Sequence, residues 1–227
     1  MIISHTHKYI FIKSWKTAGT SVEATLSKYC SGDDIVTPLG DYHFNRDKNG
    51  EWVHRSMNPG EFYQHDNALT IKNRVKPEIW NNYFKFSISR NPWERVVSSF
   101  DWHSRRNPEF LPRKGLFHKL GFPFNELKET RKIFSRYVKG YKKTNDNFYL
   151  IDDKLCVDYI IRYENLDENL KEICRMIGLP EITLPRLKSG FRKRFHYTEY
   201  YDDESREIVA ERHKNDIELF GYQFNQI

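Results

Sequence analysis

Apolar residues along the chain fall into two alternating patterns. Short β-favouring runs lie at residues 9–12, 83–89 and 157–162. After each run, apolar residues recur at the spacing of a helix that buries one face. These are Val22, Leu26 and Tyr29 after the first run, Trp93, Val97 and Phe100 after the second, and Leu166, Leu170, Ile173 and Ile177 after the third. The pattern predicts three successive strand–loop–helix units.

Strands that alternate with helices indicate an α/β fold, which we predict as a P-loop-like open parallel sheet with helices on both faces. Asn91 before Pro92 is typical of a helix start, and further helices are predicted near 125–138 and 202–219. The chain has 227 residues, and we predict one domain, 1–227, against a prior of roughly 150 residues per domain.

Two polar segments, residues 31–75 and 104–124, lack sustained periodicity and are predicted to be loops, with at most a short hairpin in the first. Loops on a rigid scaffold often carry function, so we expect an acceptor molecule to be recognised here. Candidate acceptor residues in and beside these loops are Trp52, Trp102, Arg105, Arg106 and Arg113.

The loop after the first strand has the composition of an anion site. Residues 16–21 read Lys16, Thr17, Ala18, Gly19, Thr20 and Ser21. A loop that enters a helix presents unpaired N–H groups and the positive end of the helix dipole. The lysine adds a cation, the hydroxyls add donors, and the glycine permits a close backbone approach. The segment therefore suits a phosphate or a sulfate.

A P-loop nucleotide kinase or NTPase using ATP and Mg²⁺ is the alternative that shares this strand–loop–helix logic. Its phosphate loop requires G-x-x-x-x-G-K-[ST], whereas residues 10–15 contain no glycine. The second strand ends in Arg90 and not in an aspartate that could bind Mg²⁺. Both observations disfavour ATP.

The stretch FIKSWKTAGTSVEATL resembles the 5′-phosphosulfate loop of sulfotransferases that use 3′-phosphoadenosine 5′-phosphosulfate (PAPS), commonly P-K-[ST]-[AG]-[GST]-[ST]-[ST]. Lys16 is in register, while Trp15 stands where that family usually has proline. The resemblance implies that Lys16 contacts the transferring sulfuryl group and the leaving phosphate oxygen, where negative charge develops. It further implies that residues 17–21 bind the donor.

A second motif, FSISRNPWERVVSSF, resembles the 3′-phosphate motif of the same family. Arg90 ends the strand, and Ser98 lies eight positions later on the predicted helix. A guanidinium offers a planar fork of donors that matches phosphate oxygens, and a serine hydroxyl adds another hydrogen bond. The resemblance implies that these two residues recognise the 3′-phosphate of PAPS.

Weaker similarity covers most of the remaining chain, from about residue 8 to 224. Tyr163 begins YENL, which resembles an element whose tyrosine lies near the adenine. The segment LKSGFRKRFHYTEYYDDES resembles the nucleotide-closing segment of the carbohydrate (heparan/chondroitin-type) branch. This similarity implies further phosphate contacts from Ser189 and Arg192, with Lys193 and Arg194 as additional candidates.

Transfer to an alcohol needs a base within hydrogen-bond reach of the acceptor hydroxyl. The stretch FYQHDNALTIKNRV resembles the histidine-bearing segment of heparan-type 2-O-sulfotransferases, which implies His65 as the base. His43, His54 and Glu23 are reserves. No H-E-x-x-H or Cys/His cluster occurs, so we predict no metal requirement.

Overall composition bounds the remaining questions. The net charge of +6 fits an anionic ligand, but no nucleic-acid motif is recognisable, so a basic nucleic-acid-binding module is disfavoured. Three cysteines without metal-type spacing and the absence of a long apolar run favour a cytoplasmic protein without an integral membrane segment. The resemblance then implies a soluble bacterial or viral-type sulfotransferase that acts on a small-molecule or glycan acceptor, with carbohydrate favoured. Oligomeric state is left open.

Overall fold

The computed structural model describes residues 1–39, 54, 56–111, 125–184 and 195–225. The chain groups into two compact units. The first unit comprises Met1–Arg90 and Asn145–Lys188, and the second comprises Asn91–Thr144 and Ser189–Ile227.

The strands of the first unit are β1 (Ile2–Ser4), β2 (Tyr9–Ile12), β3 (Ile35–Val36), β4 (Phe84–Ser89), β5 (Leu150–Ile151), β6 (Lys154–Leu155) and β7 (Tyr159–Arg162). Five of them form a mixed sheet at the centre of this unit, in the order β3-β1-β2-β4-β7. Strands β2, β4 and β7 are parallel neighbours, as the sequence predicted, and β5 pairs with β6 in a separate hairpin.

Helices cover the two faces of this sheet, which confirms the predicted α/β class. The first unit contains α1 (Gly19–Leu26), α2 (Ala68–Arg74), α3 (Pro77–Asn82) and α6 (Leu166–Met176). One face buries Phe11 and Phe86 in a core that includes Val22 of α1 and Leu170 of α6. Side chains alternate between the faces of a strand. The neighbouring Lys85 therefore points to the other face, where its Nζ lies 5.8 Å from the ring centroid of Trp80 on α3.

The sheet differs from the prediction at one edge, where β1 and β3 run antiparallel to their neighbours. The turn between β1 and β2 spans only a few residues, with Lys8 in the left-handed region at φ 52°. Such a short connection can join antiparallel strands but not parallel ones. The alternation of strands and helices further along the chain carries no signal for this edge.

The second unit is helical and has an aromatic core. Its helices are α4 (Pro92–Arg106), α5 (Glu126–Gly140), α7 (Asp203–Arg212) and α8 (Lys214–Phe220). Asn91 caps α4 by accepting hydrogen bonds from the amides of Trp93 and Glu94, so the predicted helix start is confirmed. The single helix predicted near 202–219 is instead two helices, because the helical backbone is interrupted at His213, which caps the end of α7 and the start of α8. The buried core includes Trp93, Phe100, Phe134, Tyr137, Tyr200 and Tyr201.

Across the ranges given above, no helix combines the length and the apolar character needed to cross a bilayer.

Buried His213 makes the stability of the second unit depend on pH. Arg95 donates from Nη2 to His213 Nδ1 at 3.0 Å, and both side chains are buried. Burial, reinforced by the charges of Arg95 and Arg212, lowers the pKa of His213 from 6.5 to about 2. His213 therefore stays unprotonated in the folded protein at pH values below 6.5, where the same residue binds a proton in the unfolded chain.

We expect the free energy of unfolding to fall as the pH drops from 7 to 5, by up to about 1.4 kcal/mol per pH unit for each such group. Urea unfolding of His213→Gln should show a smaller drop over this range, because glutamine keeps an acceptor for Arg95 but does not titrate. Replacement of the exposed His196 by glutamine is the matched control. An equal pH dependence in wild type and His213→Gln would contradict this assignment.

Candidate functional site

The loop that follows β2 enters α1 through two left-handed residues. Lys16 has φ 60° and Ala18 has φ 61°, both unusual for residues with a side chain. Ala18 is the N-cap of α1 and makes no side-chain capping hydrogen bond. Its carbonyl instead accepts from the amide of Ser21 at 2.9 Å. The N-cap side chain therefore does not cover the positive end of α1, and an anion site requires such an end.

Buried hydroxyl groups hold the base of this loop against the sheet. Ser14 donates from Oγ to the carbonyl oxygen of Ile88 on β4 at 2.5 Å, and its Oγ lies 2.8 Å from Oγ1 of Thr17. Thr17 is fully buried, so its side chain belongs to the loop framework. Only the backbone of Thr17 remains suited to the predicted donor contact, whereas the side chains of Thr20 and Ser21 are partly exposed.

A buried ion cluster beneath the loop explains Gly19. The side chain of Lys13 passes Gly19 to reach Glu23, with 2.5 Å between Nζ and Oε2. A Cβ on Gly19 would lie 2.8 Å from Lys13 Cγ. The glycine therefore makes room for a lysine side chain, while the close backbone approach to a ligand stays a prediction.

Glu23, a reserve candidate for the base, is the anion of that cluster. Its Oε1 accepts from the amino group of Met1 at 2.5 Å and from Oγ1 of Thr37 at 2.9 Å. Burial by itself raises the pKa of Glu23, but the Met1 ammonium and Lys13 outweigh it and lower the pKa to about 2. Both carboxylate oxygens of Glu23 are bonded inside the unit and the side chain is fully buried, so it has no free oxygen to present to an acceptor hydroxyl.

Three predicted donor-binding residues meet at the carboxyl ends of the strands. Arg90, at the end of β4, donates from Nη1 to the carbonyl oxygen of Lys16 at 2.9 Å. Its guanidinium carbon lies 3.9 Å from the ring centroid of Tyr163, which follows β7. Ligands of open α/β sheets bind at this edge. The fold thus assembles Lys16, Arg90 and Tyr163 from three distant segments.

His65 lies against the same loop. Its Nδ1 is 2.9 Å from the carbonyl oxygen of Lys13, so this nitrogen carries the proton and donates. The imidazole stacks on Trp15 with 3.6 Å between ring centroids and 20° between ring planes. Burial, followed by the charge of Lys13, lowers the pKa of His65 from 6.5 to about 3. The ring is therefore neutral near pH 7, with a lone pair on Nε2.

Asn145 was not predicted, yet it binds the loop at two points. Its Oδ1 accepts from the amide of Trp15 at 3.2 Å, and its Nδ2 donates to the carbonyl oxygen of Trp15 at 2.9 Å. Asn145 is only 1% exposed. Nothing in the surrounding KKTNDNF stretch distinguishes this asparagine from an ordinary turn residue. The unusual tryptophan at position 15 was the available signal.

The other predicted residues are placed as follows. His54 is buried, and burial lowers its pKa to about 4. Ser98 is half-buried on α4 in the second unit, and on the same helix the guanidinium of Arg106 lies 4.2 Å from the ring of Trp102 while Arg105 is exposed. His43, Trp52, Arg113, Ser189, Arg192, Lys193 and Arg194 lie outside the described residues.

One of the comparisons with known proteins shows a family. The model of the "Sulfotransferase family" matches residues 1–223. An uncharacterized protein of Archaeoglobus fulgidus is 32% identical over 114 residues, which cover 50% of this chain and 83% of that protein. The crystal structure of a sulfotransferase from Alicyclobacillus acidocaldarius is 16% identical, with 94% of this chain and 96% of that chain covered and a TM-score of 0.36. At that TM-score the structural likeness carries no conclusion.

Gly19→Ala tests the packing of Lys13 beneath the loop. The added methyl group would displace the lysine stem and strain its ion pair with Glu23. We expect a loss of about 1–3 kcal/mol in the free energy of unfolding, the usual cost of overpacking, as measured by urea denaturation. Gly140→Ala is the control, because a Cβ there meets nothing within 4 Å. Equal stability of the two variants would show that Lys13 has another route to Glu23.

Proposed function

The chain belongs to the sulfotransferase family, and on this premise we propose that it transfers a sulfuryl group from PAPS to the hydroxyl group of an acceptor. The observation that carries the proposal is the convergence on one loop of a lysine, an arginine and a neutral histidine. Lys16 lies in the loop, Arg90 donates to the Lys16 carbonyl, and the His65 ring stacks on Trp15.

Donor binding is assigned to the loop and to Arg90. The amides at the start of α1 and the Lys16 ammonium would hold the 5′-phosphosulfate, because both present positive charge to an oxyanion. Arg90 would bind the 3′-phosphate through its planar guanidinium. Tyr163 would keep that plane in place by stacking on it. The contribution of Ser98 stays a prediction from its spacing.

The proposed reaction is an in-line displacement at sulfur. The acceptor oxygen forms a bond to sulfur while the bond from sulfur to the bridging phosphate oxygen breaks. The acceptor proton passes to Nε2 of His65, which has the lone pair because Nδ1–H donates to Lys13. Lys16 stabilises the charge that develops on the sulfuryl and leaving oxygens. The products are the sulfated acceptor and 3′-phosphoadenosine 5′-phosphate (PAP).

The proposal includes a carbohydrate acceptor and a cytoplasmic location. A carbohydrate hydroxyl is the acceptor that the resemblance of the His65 and C-terminal segments favours. A cytoplasmic location is in keeping with Cys30, Cys156 and Cys174, which are all unpaired thiols. A screen of sugars, lipids and small alcohols with radiolabelled PAPS would identify the acceptor.

Isothermal titration calorimetry distinguishes this proposal from its rivals. We expect binding of PAP, and neither ATP with Mg²⁺ nor a DNA oligonucleotide should bind comparably. Arg90→Ala should weaken PAP by about 10- to 100-fold, the value of a hydrogen-bonded charge pair. The same variant should affect adenosine 5′-phosphosulfate much less, because that ligand lacks the 3′-phosphate.

Arg90→Lys keeps the charge without the planar fork, and we expect it to bind PAP with intermediate affinity. An equal loss of affinity for both nucleotides in Arg90→Ala would mean that Arg90 acts only by supporting the Lys16 loop. Preferential binding of ATP with Mg²⁺ by the wild-type protein would overturn the proposed donor.

Turnover measurements test Lys16 and His65. Lys16→Ala should lower kcat by about 10²- to 10³-fold, as loss of an oxyanion donor does. His65→Asn keeps a side-chain donor for the Lys13 carbonyl but no base, and it should cost about 10²- to 10⁴-fold. The exposed Lys28, replaced by alanine, is the matched control. Full activity in either site variant would remove that residue from the mechanism.

The pH profile of kcat/KM provides a separate check on the base. The pKa of His65 is lowered to about 3, so the ring stays neutral and able to accept a proton throughout the range from pH 8 to pH 5. We expect no acid limb with a midpoint near 6.5. An acid limb with a midpoint near 6.5, at pH values where the protein remains folded, would point to a different histidine as the base.

A further inference from the structure

Two contacts determine the orientation of the His65 ring. The hydrogen bond from Nδ1 to the Lys13 carbonyl, 2.9 Å long, fixes the direction of one ring nitrogen. A ring held by one hydrogen bond can still turn about that bond. The stack on Trp15, with 20° between the planes, removes this remaining freedom. The position of Nε2 is therefore set jointly by a backbone carbonyl and an indole face.

The backbone of Trp15 is itself held from a third segment. Asn145 bonds both the amide and the carbonyl oxygen of Trp15. Three residues further along, Phe148 meets the imidazole edge-on, with 6.4 Å between ring centroids. The same short segment thus contacts both members of the stack. Such support from a rigid neighbour is what keeps a functional side chain within the narrow tolerance that proton transfer requires.

Proline, the usual residue of the family at this position, could not provide this arrangement. It has no flat aromatic face to stack on a histidine, and it has no N–H to donate to Asn145. Trp15 therefore provides an aromatic face for His65 and a backbone N–H for Asn145, neither of which proline has.

We propose that Trp15 is the positioning residue for His65: its indole, carried on a backbone that Asn145 bonds at two points, holds the imidazole in the orientation that leaves Nε2 available for the acceptor proton. This inference rests on the proposed role of His65 as base. Trp15 touches no reacting atom in this scheme and acts only through the histidine.

The consequence for titration follows from the surroundings of the ring. Trp15 and Phe148 cover the imidazole, and the charged groups that act on it are Lys13, the amino group of Met1 and Glu23. Burial is the largest of the influences that lower the pKa of His65. Removal of the indole exposes the ring to water and should raise this pKa toward 6.5.

The test compares Trp15→Phe with Trp15→Leu in the full-length protein. Both substitutions keep the backbone groups that Asn145 binds, but only phenylalanine keeps a flat ring. The readouts are kcat and KM for PAPS and, separately, the nitrogen resonances of the His65 imidazole followed by NMR as a function of pH. Trp80→Leu, which removes a buried tryptophan from α3, is the control for general destabilisation.

We expect Trp15→Leu to lower kcat by about tenfold, less than the 10²- to 10⁴-fold loss expected when the base itself is removed, with KM for PAPS changed by less than about threefold. The pKa of His65 should rise, and the neutral ring should become a mixture of the Nδ1–H and Nε2–H tautomers. Trp15→Phe should keep the tautomer and most of kcat. Trp80→Leu should leave the His65 resonances unchanged. If Trp15→Leu does not fold, Trp15→Met gives the same comparison.

Suppose that His65→Asn is inactive, which supports His65 as the base. Wild-type kcat and an unchanged His65 pKa in Trp15→Leu would then overturn the positioning role of Trp15 alone. Full activity in His65→Asn would instead overturn the proposed base, and with it the positioning role. A fall in kcat without any change in the His65 resonances would also overturn the inference, because the effect would then bypass the histidine.

Discussion

The left-handed backbone of the loop after β2 is the constraint on which the site depends. Lys16 and Ala18 both adopt positive φ angles, which cost energy for residues with a Cβ. Hydrogen bonds between the loop and other segments of the first unit hold this conformation. Asn145 binds Trp15, Arg90 binds the Lys16 carbonyl, and Ser14 reaches β4. Without these bonds nothing would offset the cost of the positive φ angles, and the loop would not hold its amides and its lysine at one edge of the sheet.

Two lysines three residues apart show how burial separates structure from chemistry. Lys13 is 2% exposed and paired with Glu23, so its charge is neutralised inside the unit. Lys16 is partly exposed on the same loop. The buried pair shapes the site indirectly, because the Lys13 stem demands a glycine at position 19 and the Lys13 carbonyl orients His65. One residue thereby supports both the anion loop and the proposed base.

The site joins charged and apolar surroundings within a few residues. Lys16 and Arg90 provide positive charge at the strand ends, whereas Trp15 and Phe148 cover His65. This separation is useful for sulfuryl transfer, because the donor is anionic and the base must be neutral. A histidine exposed to water would exchange protons near neutral pH, and its availability as a base would vary with small changes in pH.

The alternation of strands and helices and the start of α4 at Asn91 could be predicted from the sequence, and loop composition predicts an anion site at Lys16. These features are local, because periodicity, capping and loop composition are read over a few residues. The sequence also predicted that Lys16, Arg90 and Tyr163 lie at one sheet edge, since parallel strands end together. The folded structure was needed to show that Glu23 is a buried counter-ion, that Gly19 accommodates Lys13, and that Asn145 bonds Trp15, on which His65 stacks. Those contacts join segments as many as 130 positions apart, and no pattern within a short window encodes which distant side chain will fill a given space.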